Sequence, residues 1–101
     1  MTRRRTVRTS PAFFEQLDLQ LGDTRGPNGE PSATDFLVFE LPAIVEAFAT
    51  RFDELPEAVE GVADARMAIG TGKLVRAFAV YGLLMADDSV ELIGVEIDLD
   101  R

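Results

Sequence analysis

The sequence predicts an α+β domain in the order β-α-α-β-β-β, with a helical hairpin packed on one face of a small antiparallel sheet. Up to Leu55 the apolar residues recur at three- and four-residue spacing, the repeat of a helix with one buried face. From Ala65 onward they fall into short apolar runs separated by glycine and acidic turns, the pattern of paired strands. Length limits the arrangement: 101 residues make a single domain, 1–101, around one core.

RRTVRTS (4–10) reads as a short strand with Val7 inward and Arg8 outward. Ser10 has the position and chemistry of an N-cap, and Pro11 suits the first helical position. Phe13, Phe14, Leu17 and Leu21 follow at helical spacing, so a helix is expected from Pro11 to Leu21, stopped by Gly22. GDTRGPNGEP (22–31) is a loop by its turn residues. A second helix opens at Ser32, with Asp35 placed to complete a capping box. Its wide apolar stripe runs through Phe36, Val38, Phe39, Leu41, Ile44, Val45, Phe48 and Phe52 to about Leu55, with a kink or break expected at Pro42, which lacks an amide donor. Pro56 and Gly61 bracket a polar connection.

ARMAIG (65–70) is the next strand and GTG (70–72) a turn. KLVRAFAVYGLLM (73–85) has apolar residues on both parities, which predicts a central strand. ADDS (86–89) is a hairpin connection, and SVELIGVEIDLD (89–100) closes the sheet. In that strand Val90 and Leu92 face one way, Ile93, Val95, Ile97 and Leu99 the other, against Glu96, Asp98 and Asp100. The phase slip at Ile93–Gly94 predicts a bulge or a doubly buried segment.

The chain has no cysteine and no histidine, which excludes thiol nucleophiles, disulfides, imidazole acid–base chemistry and most zinc sites. The missing cysteines and the lack of a signal-peptide pattern fit a cytoplasmic protein, and no apolar run approaches the ~20 residues that span a bilayer. Net charge is −8, which argues against direct binding of free nucleic acid. Arg3, Arg4, Arg5 and Arg8 nevertheless give residues 1–9 a charge of +4, either a solvated strand edge or a phosphate-binding arm.

Other chemistries find weaker support. GTGK (70–73) lacks the spacing, the hydroxyl residue and the following helix of a phosphate loop. Asp87, Asp88 and Glu91 sit in a hairpin without the spacing of a calcium loop, so no metal or other cofactor is implied. Glu96, Asp98 and Asp100 alternate on one strand face and read as an exposed or partner-binding stripe. Lys73, Arg76 and Tyr81 interrupt an otherwise apolar strand. On an unbroken strand Lys73 and Tyr81 share a face, roughly 26 Å apart, and Arg76 takes the other. Each also has a structural reading: Lys73 a solvated turn residue, Arg76 a partner of Glu91 or Glu96 across the sheet, and Tyr81 a half-buried aromatic with its hydroxyl outward.

This order of elements, with VRTSPAFFEQL (7–17), IVEAFATRF (44–52) and ARMAIGTGKLVRAFAVYG…SVELIGVEIDL, resembles the RelE/ParE superfamily of type II toxin–antitoxin toxins. The resemblance covers nearly the whole chain and implies a toxin acting on DNA gyrase or on ribosome-bound messenger RNA, neutralised by a cognate antitoxin protein. If the chain is an enzyme, the resemblance implies a ribosome-dependent endoribonuclease. Arg76 matches the family's mid-strand basic position and Arg66 the basic residue that starts the preceding strand; Lys73 and Tyr81 complete the candidate catalytic set. The family's ribonucleases usually carry a basic residue after the last strand, where this chain has EIDLD. That substitution supports a second expectation, a relative of the fold acting as an acidic interaction module or homodimer without catalysis. In either case the partner should present a basic or apolar face.

Overall fold

The computed structural model describes residues 4–98 apart from Asn28. Its elements are β1 (Val7–Thr9), α1 (Pro11–Gln20), α2 (Ala33–Phe39), α3 (Leu41–Thr50), a 3-10 turn at Phe52–Glu54, β2 (Ala65–Gly70), β3 (Ala77–Leu84) and β4 (Val90–Asp98). The α+β class is as the sequence predicts. The sheet order is β1-β4-β3-β2, which makes β3 a central strand.

Local chemistry sets the helix boundaries. Ser10 Oγ accepts from the Phe13 amide at 3.2 Å, and Pro11 occupies the first turn, where no amide donor is needed. Ser32 and Asp35 form the reciprocal capping box: the Asp35 amide donates to Ser32 Oγ at 3.1 Å and the Ser32 amide to Asp35 Oδ2 at 2.9 Å. The break in the second helical stretch falls at Glu40, two residues ahead of the expected Pro42. Proline is tolerated only in the first turn of a helix, so the new helix must begin just before it. α3 then ends at Thr50, and the stretch expected to stay helical to Leu55 tightens into the 3-10 turn.

Two features of the sheet differ from expectation. The sheet is mixed, because β1 runs parallel to β4 with Val7 opposite Val90. Only β2–β3 and β3–β4 are joined by short connections that force antiparallel pairing; the long helical excursion leaves β1 free to run either way. The expected strand over 73–85 begins only at Ala77. Residues 73–75 give their amides to a side chain instead: the buried Glu40 carboxylate accepts from Lys73 at 2.9 Å, Leu74 at 2.7 Å and Val75 at 3.3 Å. The last strand was expected to reach Asp100; Leu99 and Asp100 lie outside the described residues.

The core lies between the helices and one sheet face, with Phe13, Leu17, Phe36, Phe48, Val80, Val90 and Leu92 wholly buried. Gly82 leaves room for the Phe48 ring, since a Cβ there would lie 2.5 Å from a ring carbon. The expected bulge is present: Tyr81 faces Gly94 and Gly82 faces Leu92, so Ile93 is the extra residue. α1 also closes a sheet edge. β1 pairs only with Val90–Leu92, and beyond it Gln16 accepts from the Val95 amide while Gln20 accepts from the Ile97 amide and donates to the Val95 carbonyl. Two glutamines four residues apart thus stand in for a missing strand.

Candidate partner-binding face

Strand alternation turns the other half of the sheet residues away from the helices. The registers align Arg8 with Glu91, Leu83 and Ala65; Gly94 with Tyr81 and Met67; Glu96 with Ala79 and Ile69; and Asp98 with Ala77. The result is an apolar field on β2 and β3, with Ile69 62% exposed, bordered along β4 by Glu91, Glu96 and Asp98. Among the described residues no helix covers this face.

The candidate residues do not converge. Arg66 is opposite Gly82, hence on the covered side. Its guanidinium donates to the Ala63, Asp53 and Leu55 carbonyls at 2.7, 3.2 and 2.7 Å and stands over the buried Phe52 ring at 5.6 Å. It fastens the 53–63 segment to the sheet. Lys73 is exposed on the loop held by Glu40, before β3 begins, so it shares no strand face with Tyr81. Arg76 meets Asp98 at 3.8 Å rather than Glu91 or Glu96, because its own amide bonds the Asp98 carbonyl and brings those backbones side by side.

Tyr81 is half-buried, and its hydroxyl donates to Glu96 Oε1 at 2.6 Å. That bond, with some burial and the nearby negative charge, holds the phenol above its ordinary pKa. At neutral pH it is therefore a protonated donor, unsuited to act as a base. Five residues separate Arg76 from Tyr81 along the chain, roughly 16 Å in extended backbone, so the two cannot grip one small group.

The arginines near the amino end meet acids. Arg4 Nη1 contacts both Glu46 oxygens at 2.7 and 2.8 Å, Arg5 reaches Asp88 at 3.3 Å, and Arg8 reaches Ser89 Oγ at 2.7 Å and Asp87 at 3.5 Å. Asp87 also accepts from the Ser89 hydroxyl and amide, which together with Arg8 hold its carboxyl below the usual range. These contacts favour the strand-edge reading of Arg4, Arg5 and Arg8 over a phosphate arm; Arg3 lies outside the described residues.

The sequence reading missed Glu40 and the pair Gln16 and Gln20. A glutamate interrupting an apolar stretch and a glutamine pair at helical spacing were the available signals. No helix among the described residues is long and apolar enough to cross a membrane. No family model, no curated protein and no solved structure matches this chain.

Proposed function

We propose that this chain is a toxin-like component of a type II toxin–antitoxin pair, acting by binding a macromolecular target through the uncovered sheet face and neutralised by a cognate antitoxin. The observation that supports a binding role is the apolar field of Met67, Ile69, Ala79 and Leu83 edged by Glu91, Glu96 and Asp98. Contiguous apolar surface with a charged border is the usual composition of a protein contact site. The toxin reading rests on the resemblance in element order and residues. The acidic border selects a target segment that is basic or apolar, so a protein such as gyrase suits it better than bare RNA.

A second reading, a non-catalytic acidic module or homodimer, is favoured by one observation: Arg66 and Tyr81 are both engaged within the fold. Regulated expression in a bacterial host, with and without the neighbouring reading frame, separates the two. The toxin reading expects growth arrest that the neighbour relieves and that Ala79→Arg abolishes. Unimpaired growth with abundant folded protein would refute it, and a tight dimer broken by Ala79→Arg would establish the second reading.

A further inference from the structure

We infer that the outer edge of β2, together with the groove beneath it, is a docking strand for an extended acidic segment of a partner protein. This site adjoins the uncovered face, sharing Ile69 with it, but does not depend on the function proposed for that face.

The first half of the β2 edge is already paired. The Met67 amide donates to the Pro56 carbonyl at 3.0 Å, and the Ala65 carbonyl accepts from the Ala58 amide at 2.8 Å. Glu57 lies antiparallel to Arg66 between them. Pro56 ends this pairing. Having no amide hydrogen, it cannot return a bond to the Met67 carbonyl, and the chain beyond it turns away at Leu55. Backbone groups alternate between the two edges of a strand, so the Ile69 amide and carbonyl also point outward. Among the described residues nothing bonds them, which leaves three open groups in a row on an edge strand. Unpaired strand edges are templates for an added strand.

The side chains around the edge specify what would pair there. A groove of about 310 Å³ runs between α3 and β2, lined by Ala43, Ala47, Leu55, Pro56 and Phe78 and, at its rim, Arg51. A strand laid along β2 sends alternate side chains into this groove and onto the uncovered face beside Ile69. Arg51 is exposed, and no acid or carbonyl engages its guanidinium among the described residues. Arg4, Arg5, Arg8 and Arg25 each meet a carboxylate, so Arg51 stands out as a cation able to take one from outside. The occupant is thus an extended segment with an apolar residue for the groove and an adjacent aspartate, glutamate or terminal carboxylate for Arg51.

The test is a displayed library of random decapeptides panned on the full chain, with the winning peptide synthesised and its affinity measured by fluorescence anisotropy. Winners should alternate apolar residues and include an acid, and binding should slow hydrogen exchange at the Ile69 amide. Arg51→Glu should weaken binding at least about tenfold, and Ile69→Pro, which removes the outward amide together with the isoleucine side chain, should abolish it. Arg8→Ala, on β1 at the opposite side of the sheet, should leave it intact. If Ile69→Pro does not fold, Arg51→Glu decides alone, because that residue is exposed and its guanidinium meets no acid among the described residues. Absence of enriched peptides, winners without an acid, equal affinity for the variants, or a dimer of the chain that Ile69→Pro converts to monomer would each overturn the inference.

Discussion

Replacing Glu40 with alanine should be the most damaging single polar substitution in this protein. The residue is 5% exposed, and its carboxylate accepts three backbone amides within 3.3 Å and so fixes residues 73–75 against the end of α2. Hydrogen bonds to a charged group contribute about 1.5–3 kcal/mol each, but water can replace the carboxylate at the exposed Lys73 and Leu74. The Val75 amide has no such recourse, and Val75 itself is 3% exposed, a burial that contributes about 1.5–3 kcal/mol. Against these losses stands the relief of no longer burying a charge. A net destabilisation of about 3–4 kcal/mol follows, which at about 4–8 °C per kcal/mol lowers Tm by roughly 12–32 °C. Glu40→Gln keeps the shape and one good acceptor and should cost about half as much. Thermal and urea unfolding followed by circular dichroism measure the loss, and amide exchange at residues 73–75 locates it. A loss below about 1 kcal/mol with those amides still protected would refute the argument.

Tyr81 is the only tyrosine and tryptophan is absent, so phenolate absorbance reports this one group. Its midpoint should lie above the ordinary value of about 10 and fall toward it in Glu96→Gln. Because the folded value is raised, the associated stability is complete below the unfolded pKa and is lost as pH rises through the folded one; an unshifted midpoint would contradict the bond to Glu96. Asp87 is lowered, so its contribution is complete above the ordinary carboxylate range and disappears as pH falls through the folded value; Ser89→Ala should flatten that acid limb. Gly82→Ala forces a methyl against the buried Phe48 ring and should cost about 1–3 kcal/mol, measured by urea unfolding. Gln20→Ala uncovers the Ile97 amide and the Val95 carbonyl, and light scattering should show faster aggregation at equal helix content.

Much of this fold is legible in the sequence because its signals are local. Ser10–Pro11 and Ser32…Asp35 announce helix starts through bonds spanning three residues, and the phase slip at Ile93–Gly94 marks the bulge without reference to any other strand. What escaped reading depends on residues far apart. Lys73–Val75 have strand composition, but a carboxylate more than thirty residues earlier takes their amides. The direction of β1 depends on where β4 comes to rest, which no spacing within β1 records. The site suffers most from this. Arg66 and Tyr81 look available along the chain, and only the folded arrangement shows the first spent on three carbonyls and the second on Glu96.

The glutamine pair of α1 has a consequence for how copies of this chain could assemble. With residues 95–97 of β4 already satisfied from within, a second molecule finds no open backbone along that stretch. A strand offered along that stretch of β4 would have to displace both glutamines before it could pair, so growth of the sheet from there is disfavoured.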